Sequence, residues 1–143
     1  QKISKFLWGN WLNTPFHKMY IKQTEKTINL VASYKFGKGK HTRKINYDNI
    51  KSQILIKDEL SKFKKKVILR WRLPMEEWHL KGNTVKSKNY EFLFSSSNLQ
   101  KIYIRKGFES SNYNQINRIP VIEVELHNSP CLLKTIIKKV VTK

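Results

Sequence analysis

Residues 41–60 read H-T-R-K-I-N-Y-D-N-I-K-S-Q-I-L-I-K-D-E-L, and residues 65–74 read K-K-V-I-L-R-W-R-L-P. Three short runs of alternating apolar and polar residues follow one another here. Ile45 and Tyr47 share one parity in the first, Ile50, Ile54 and Ile56 in the second, and Val67, Leu69, Trp71 and Leu73 in the third. Period-two alternation puts those side chains on one face and the charged ones on the other, so each run reads as a half-buried β-strand. Asp48-Asn49 stands where a tight hairpin turn belongs. The stretch predicts an antiparallel meander packed on one face.

The same pattern extends in both directions. Met19 and Ile21 suggest a short strand, and Ile28, Leu30, Ala32 and Tyr34 a clear one closed by Gly37-Lys38-Gly39. Downstream, Tyr90, Phe92 and Phe94 alternate before the turn at Ser95–Asn98. Ile102 and Ile104 then point in and Tyr103 out, with Lys106-Gly107 as the expected end of that strand. Arg118–Leu126 and Leu132–Val141 complete the set. Asp58–Lys66 reads as a long hairpin loop, with a single helical turn as the alternative. Phe108–Asn117 reads as the longest polar connection, the kind of surface loop where recognition often occurs. Together these predict an all-β fold, an antiparallel β-sandwich of about ten strands with little or no helix, formed by residues 1–143 as one domain. Leu30, Ile54, Ile56, Leu69, Trp71, Phe92 and Ile122 are its expected core.

Composition narrows the class of partner. The 39% hydrophobic content is that of a globular chain and argues against disorder, despite 29 Lys and Arg against 10 acids and a net charge of +19. No apolar run approaches the ~18 residues of a membrane helix. Cys131 is the only cysteine, which excludes an internal disulfide, and the four histidines show no ligand-like spacing, so neither a metal nor another cofactor is expected. The positive charge admits two readings: a surface for a polyanion, or lysine-rich composition spread over solvated faces. Arg70 and Arg72 flank Trp71 at opposite parity and so share a face, about 7 Å apart at the strand rise of roughly 3.3 Å per residue. With Trp78, His79 and Arg43 they form the candidate binding set, in which guanidinium groups pair with carboxylate or sulfate and an indole covers a sugar face. The bland alternative is an outward Arg pair that protects a sheet edge.

Taken in order, several segments resemble the C-terminal β-sandwich of the heparinase II/III-like polysaccharide lyases. They are W-G-N-W (Trp8–Trp11), L-V-A-S-Y (Leu30–Tyr34), H-T-R (His41–Arg43), I-L-I-K-D (Ile54–Asp58), R-W-R-L-P (Arg70–Pro74), G-F-E-S-S-N-Y (Gly107–Tyr113) and L-K-T-I-I (Leu133–Ile137). The Pro of R-W-R-L-P stands one place early for the family's element. The resemblance implies a longer protein in which an N-terminal α/α toroid precedes the sandwich. It implies β-elimination at a uronic acid, with Tyr and His moving the protons, and an acidic polysaccharide as partner, in the periplasm or outside the cell. The family's His-x-His-x-Asp segment is absent here, so the resemblance places no catalytic residue in this chain, and His41 is not a substitute. A basic nucleic-acid-binding β-barrel is the alternative function, opposed by aromatics that share parity with aliphatic residues.

Overall fold

The computed structural model describes residues 16–36, 38–110 and 115–140. Among them there are eleven strands and no helix. They are β1 (Phe16–Gln23), β2 (Thr27–Phe36), β3 (Gly39–Asp48), β4 (Gln53–Ser61), β5 (Lys66–Arg72), β6 (His79–Lys81), β7 (Thr84–Lys86), β8 (Tyr90–Ser95), β9 (Leu99–Glu109), β10 (Asn117–His127) and β11 (Cys131–Lys139). An eight-stranded sheet runs in the order β1-β2-β3-β4-β11-β8-β7-β6, and a three-stranded sheet in the order β5-β10-β9. Every pairing is antiparallel. The architecture is the expected sandwich, with one broad sheet and one narrow one.

Paired residues in an antiparallel ladder share a face, so register fixes what points inward. Arg43 lies opposite Asp58, Ile45 opposite Ile56 and Tyr47 opposite Ile54. Leu60 lies opposite Cys131, and Asp58 opposite Leu133. From the narrow sheet, Leu69 lies opposite Val124, which in turn lies opposite Ile102. These faces meet in a core that includes Phe94, Leu133, Ile122, Val124 and Leu126, all at most 1% exposed. Burying one such side chain contributes about 1.5–3 kcal/mol. Cys131 also lies in this core, where burial raises its thiol pKa.

Four of the seven expected core residues, Ile56, Leu69, Phe92 and Ile122, are buried. Leu30, Ile54 and Trp71 are half-buried. Their parity is as expected, but three strands cannot cover eight, which leaves Leu30 and Ile54 half-buried, and Trp71 lies on β5, an edge strand of the narrow sheet. Ile50 falls in the turn after β3 and is 73% exposed.

Two local expectations are corrected, and one hairpin is added. Asp58–Ser61 is strand, the end of β4, and the loop spans only residues 62–65. Asp58 continues the inward parity of Ile56 because it has partners there, described below. β9 runs through Lys106-Gly107 to Glu109 instead of turning. Gly107 serves close approach: a Cβ there would come within 2.5 Å of Val121 Cγ2, a clash within the sheet itself. The hairpin β6–β7 went unread, because three-residue strands show too little alternation. Its two-residue turn has Gly82 at φ +57°, where a side chain would be strained. The W-G-N-W segment and Tyr113 lie outside the described residues.

Candidate functional site

The outer face of the narrow sheet is built by three rows of directly opposed residues. Arg72, Val121 and Arg105 form one row; Arg70, Glu123 and Tyr103 form the next; Ile68, Glu125 and Lys101 form the third. Arg70 Nε donates to Glu123 Oε1 at 2.8 Å, and Arg105 Nε lies 2.9 Å from Glu123 Oε2. One carboxylate thus holds two guanidinium groups on either side of the central strand. Arg72 Nη2 donates to the Phe108 carbonyl at 2.8 Å and stands 3.6 Å from Glu109. The guanidinium of Arg105 stacks 4.5 Å from the Tyr103 ring centroid, and Lys101 Nζ lies 5.1 Å from the same centroid.

A depression of about 400 Å³ opens between these groups, floored by Gly107 and Val121 and edged by Arg70, Arg72, Arg105 and Phe108. Phe108 is 63% exposed and adds an apolar rim. Three arginines and Lys106 line the hollow against Glu123, with Glu109 beside it, so the dish keeps a positive surplus. Its chemistry suits an extended anion, with charge-assisted hydrogen bonds from the guanidinium groups and an aromatic edge beside them. At the lower end of the same sheet, Glu125 is held below the usual carboxylate range by His127 at 2.7 Å, and next by Lys66 at 3.1 Å.

A second cluster faces inward. Asp58 is fully buried and accepts from Arg43 twice, Nε to Oδ1 at 2.7 Å and Nη2 to Oδ2 at 3.1 Å. His41 Nε2 lies 2.6 Å from Asp58 Oδ1, and His41 Nδ1 lies 3.2 Å from the Tyr34 hydroxyl. The Arg43 guanidinium also covers the Trp71 ring at 4.7 Å. Burial alone would raise the Asp58 pKa. The hydrogen bonds from His41 and Arg43, with their charges, outweigh it and hold the carboxyl below its ordinary value of 3.8. With both oxygens engaged, Asp58 is a structural anchor.

The five residues of the candidate binding set therefore do not assemble. Arg70 and Arg72 share the dish. Arg43 is committed to Asp58 and Trp71 on the opposite side of the narrow sheet. Trp78 is 9% exposed, its indole N–H donates to the Pro74 carbonyl at 3.1 Å, and its ring packs edge-on against Phe92. Its face is enclosed in the core, which leaves none to lay on a sugar. His79 is exposed on β6, 3.4 Å from Glu77. Sequence reasoning missed Arg105 and Phe108. The outward parity of Tyr103 already implied Arg105, but the assumed turn at Lys106-Gly107 cut the strand before Phe108. Among the described residues, no group of His, Cys, Asp and Glu is placed to hold a metal ion. None of their helices is long and apolar enough to cross a membrane, since there is no helix.

No protein-family model and no curated protein sequence matches this chain. Solved structures do. The chain superposes over 90% of its length on 22% of a heparinase III gene product, with a TM-score of 0.74 and 17% identity. It covers 23% of heparan sulfate lyase HepC from Pedobacter heparinus with 91% of its own length, at a TM-score of 0.71 and 16% identity. A further heparinase III structure gives a TM-score of 0.74 over 86% of the chain, at 16% identity. Its fold is shared with heparinase III. The chain spans less than a quarter of these heparinase III and HepC chains, and the likeness at such identity is one of fold.

Proposed function

We propose that this chain is the β-sandwich module of a polysaccharide lyase that cleaves a uronic-acid-containing acidic polysaccharide by β-elimination. In this reading, residues 1–143 form one domain of a longer protein whose α/α toroid and first sandwich strands precede it. The module supplies structure, and its Arg70–Arg72–Arg105 dish holds the polymer. The observation that carries the reading is the fold match to heparinase III over 90% of the chain. The dish supports it by combining surplus guanidinium groups with an exposed aromatic rim. A nucleic-acid module is less well supported, because the fold match is to heparinase III and because Phe92, Phe94 and Trp78 are buried, which leaves Phe108 alone as the strongly exposed ring at the dish where bases would need successive platforms.

Elimination needs a base, an acid and a carboxylate neutraliser within reach of one another. His41 and Tyr34 are within hydrogen-bond distance, but His41 is also tied to buried Asp58. The 143-residue chain alone should therefore release no unsaturated uronate, read by its ultraviolet absorbance. Retention of this chain on immobilised heparin tests the dish. Arg70→Glu with Arg72→Glu should shift elution to clearly lower salt, and wild-type retention should fall as salt shortens the Debye length to about 8 Å at physiological ionic strength. Unchanged elution of the double variant would remove the dish from the proposal.

A further inference from the structure

The outer face of the eight-stranded sheet carries an arrangement that lysine-rich composition alone does not explain. Lys44 on β3 lies directly opposite Lys57 on β4, and Lys57 lies directly opposite Lys134 on β11. Three lysines thus stand in one row across three central strands, whose backbones lie about 4.8 Å apart. Like charges directly opposed in a sheet are destabilising. Only Lys44 is relieved, by Glu59 at 2.6 Å. Lys57 and Lys134 have no carboxylate within ion-pair distance among the described residues. Scattered lysines would cost the sheet nothing, whereas this register opposes folding until an anion lies along it.

The surroundings say what kind of anion. A hollow of about 340 Å³ lies beside the row, lined by Lys44, Lys57, Asn29, Asn46, Val31 and Leu55. Asn46 Nδ2 donates to Asn29 Oδ1 at 2.7 Å, which holds the two amides in place at its floor. The adjoining row, Leu55, Ile136 and Leu93, is aliphatic. Ammonium groups, amides and a strip of aliphatic surface match the sulfates or carboxylates, hydroxyls and C–H faces of a sugar chain. Base stacking would need successive aromatic platforms; Val31 and Ser95 flank the lysines, and the aromatic in this row is a single one, Tyr20, which lies beyond Val31 on the edge strand.

We propose that the Lys44–Lys57–Lys134 row is a second anion-binding strip that takes an acidic polysaccharide laid across the strands. It lies on the opposite side of the sandwich from the arginine dish. The choice of polysaccharide rests on the function proposed above; the strip itself rests on register and charge.

The test compares Lys57→Gln with Lys134→Gln against a control pair, Lys22→Gln with Lys81→Gln. The control has the same charge change on the same face, with Asn29 and Thr84 opposite instead of lysine. Thermal unfolding without ligand should show the row variant melting higher than wild type, and the control unchanged. Titration with low-molecular-weight heparin at low salt should show at least a fivefold loss of affinity in the row variant and less than twofold in the control. Equal losses in both pairs, or none in the row variant, would overturn the strip. A single-stranded DNA of equal charge that binds as tightly as heparin, with the same dependence on the row, would overturn its assignment to polysaccharide. Both pairs are titrated in the wild-type background and again with Arg70→Glu and Arg72→Glu in place, so a failure of the dish and a failure of the row are read separately.

Discussion

The eight-stranded sheet has one inner face and two fates for it. Under the narrow sheet, β4, β11, β8 and β7 carry Leu60, Leu133, Phe94 and Val85, each no more than 4% exposed. Beyond it, β1 and β2 carry Met19 at 58%, Ile21 at 53% and Ile28 at 38% exposed. Alternation is equally good in both regions, and their register is continuous from Ile21 through Leu30 and Ile45 to Ile56. What differs is the cover. A strand pattern reports which face is apolar, and only the opposing layer decides whether that face leaves water. The Tyr34–His41–Arg43–Asp58 network stands at the border, where a half-exposed Arg43 reaches a fully buried carboxylate.

Truncation should break the comparison most sharply. Phe94→Ala, under cover, should lose about 3–5 kcal/mol of unfolding free energy through lost transfer energy and a residual cavity. Ile21→Ala, at an equivalent parity in the uncovered wing, should lose less than about 1 kcal/mol, since its side chain already meets water. Urea denaturation of the two variants measures the difference. Equal losses would mean that the wing is covered in solution.

The border network should respond next. Asp58→Ala leaves Arg43 and His41 facing an empty buried site, and breaking such a pair should cost about 3 kcal/mol. The carboxyl also makes stability depend on pH. Its folded pKa lies below its unfolded value near 3.8, so the contribution is fully present above that value and is lost as pH falls through the folded pKa. Urea midpoints between pH 6 and pH 2.5 should therefore fall in the acid range for wild type, and fall less for Asp58→Asn. Parallel acid profiles for the two proteins would show that the Asp58 pairing adds no stability.

Much of this was legible from residues alone, in proportion to how local the cause was. Parity found the inward faces of β2 to β5 and of β8 to β10; for β11 only the strand itself was read. It failed at Asp58, since a carboxylate reads as polar and loop-like until Arg43 and His41 are brought opposite by pairing. It missed β6 and β7, because Leu80 and Val85 are single apolar residues in three-residue strands. Of the arginine dish, Arg70 and Arg72 could be read from one strand, whereas Arg105 joins them only through Glu123 on the strand between. The lysine row was invisible for the same reason: Lys44, Lys57 and Lys134 are neighbours in register and far apart in sequence. Chemistry carried by one strand was readable, and chemistry assembled across strands was not.

The smallest effect concerns a hydroxyl on the covered side. Thr135 sits on β11 between Ile56 of β4 and Phe94 of β8, and is fully buried. Its Oγ1 has no hydrogen-bond partner among the described residues. An unpaired buried hydroxyl opposes folding by the desolvation it never recovers, about 1–3 kcal/mol. Val has the same branched shape and suits a strand equally well. Thr135→Val should therefore raise stability by about 1 kcal/mol, seen as a higher urea midpoint with an unchanged slope. In the uncovered wing the same kind of change should do little, because water reaches polar groups there. A Thr135→Val variant less stable than wild type would show that Oγ1 does have a partner, such as an internal water, and that the covered half is less dry than its burial implies.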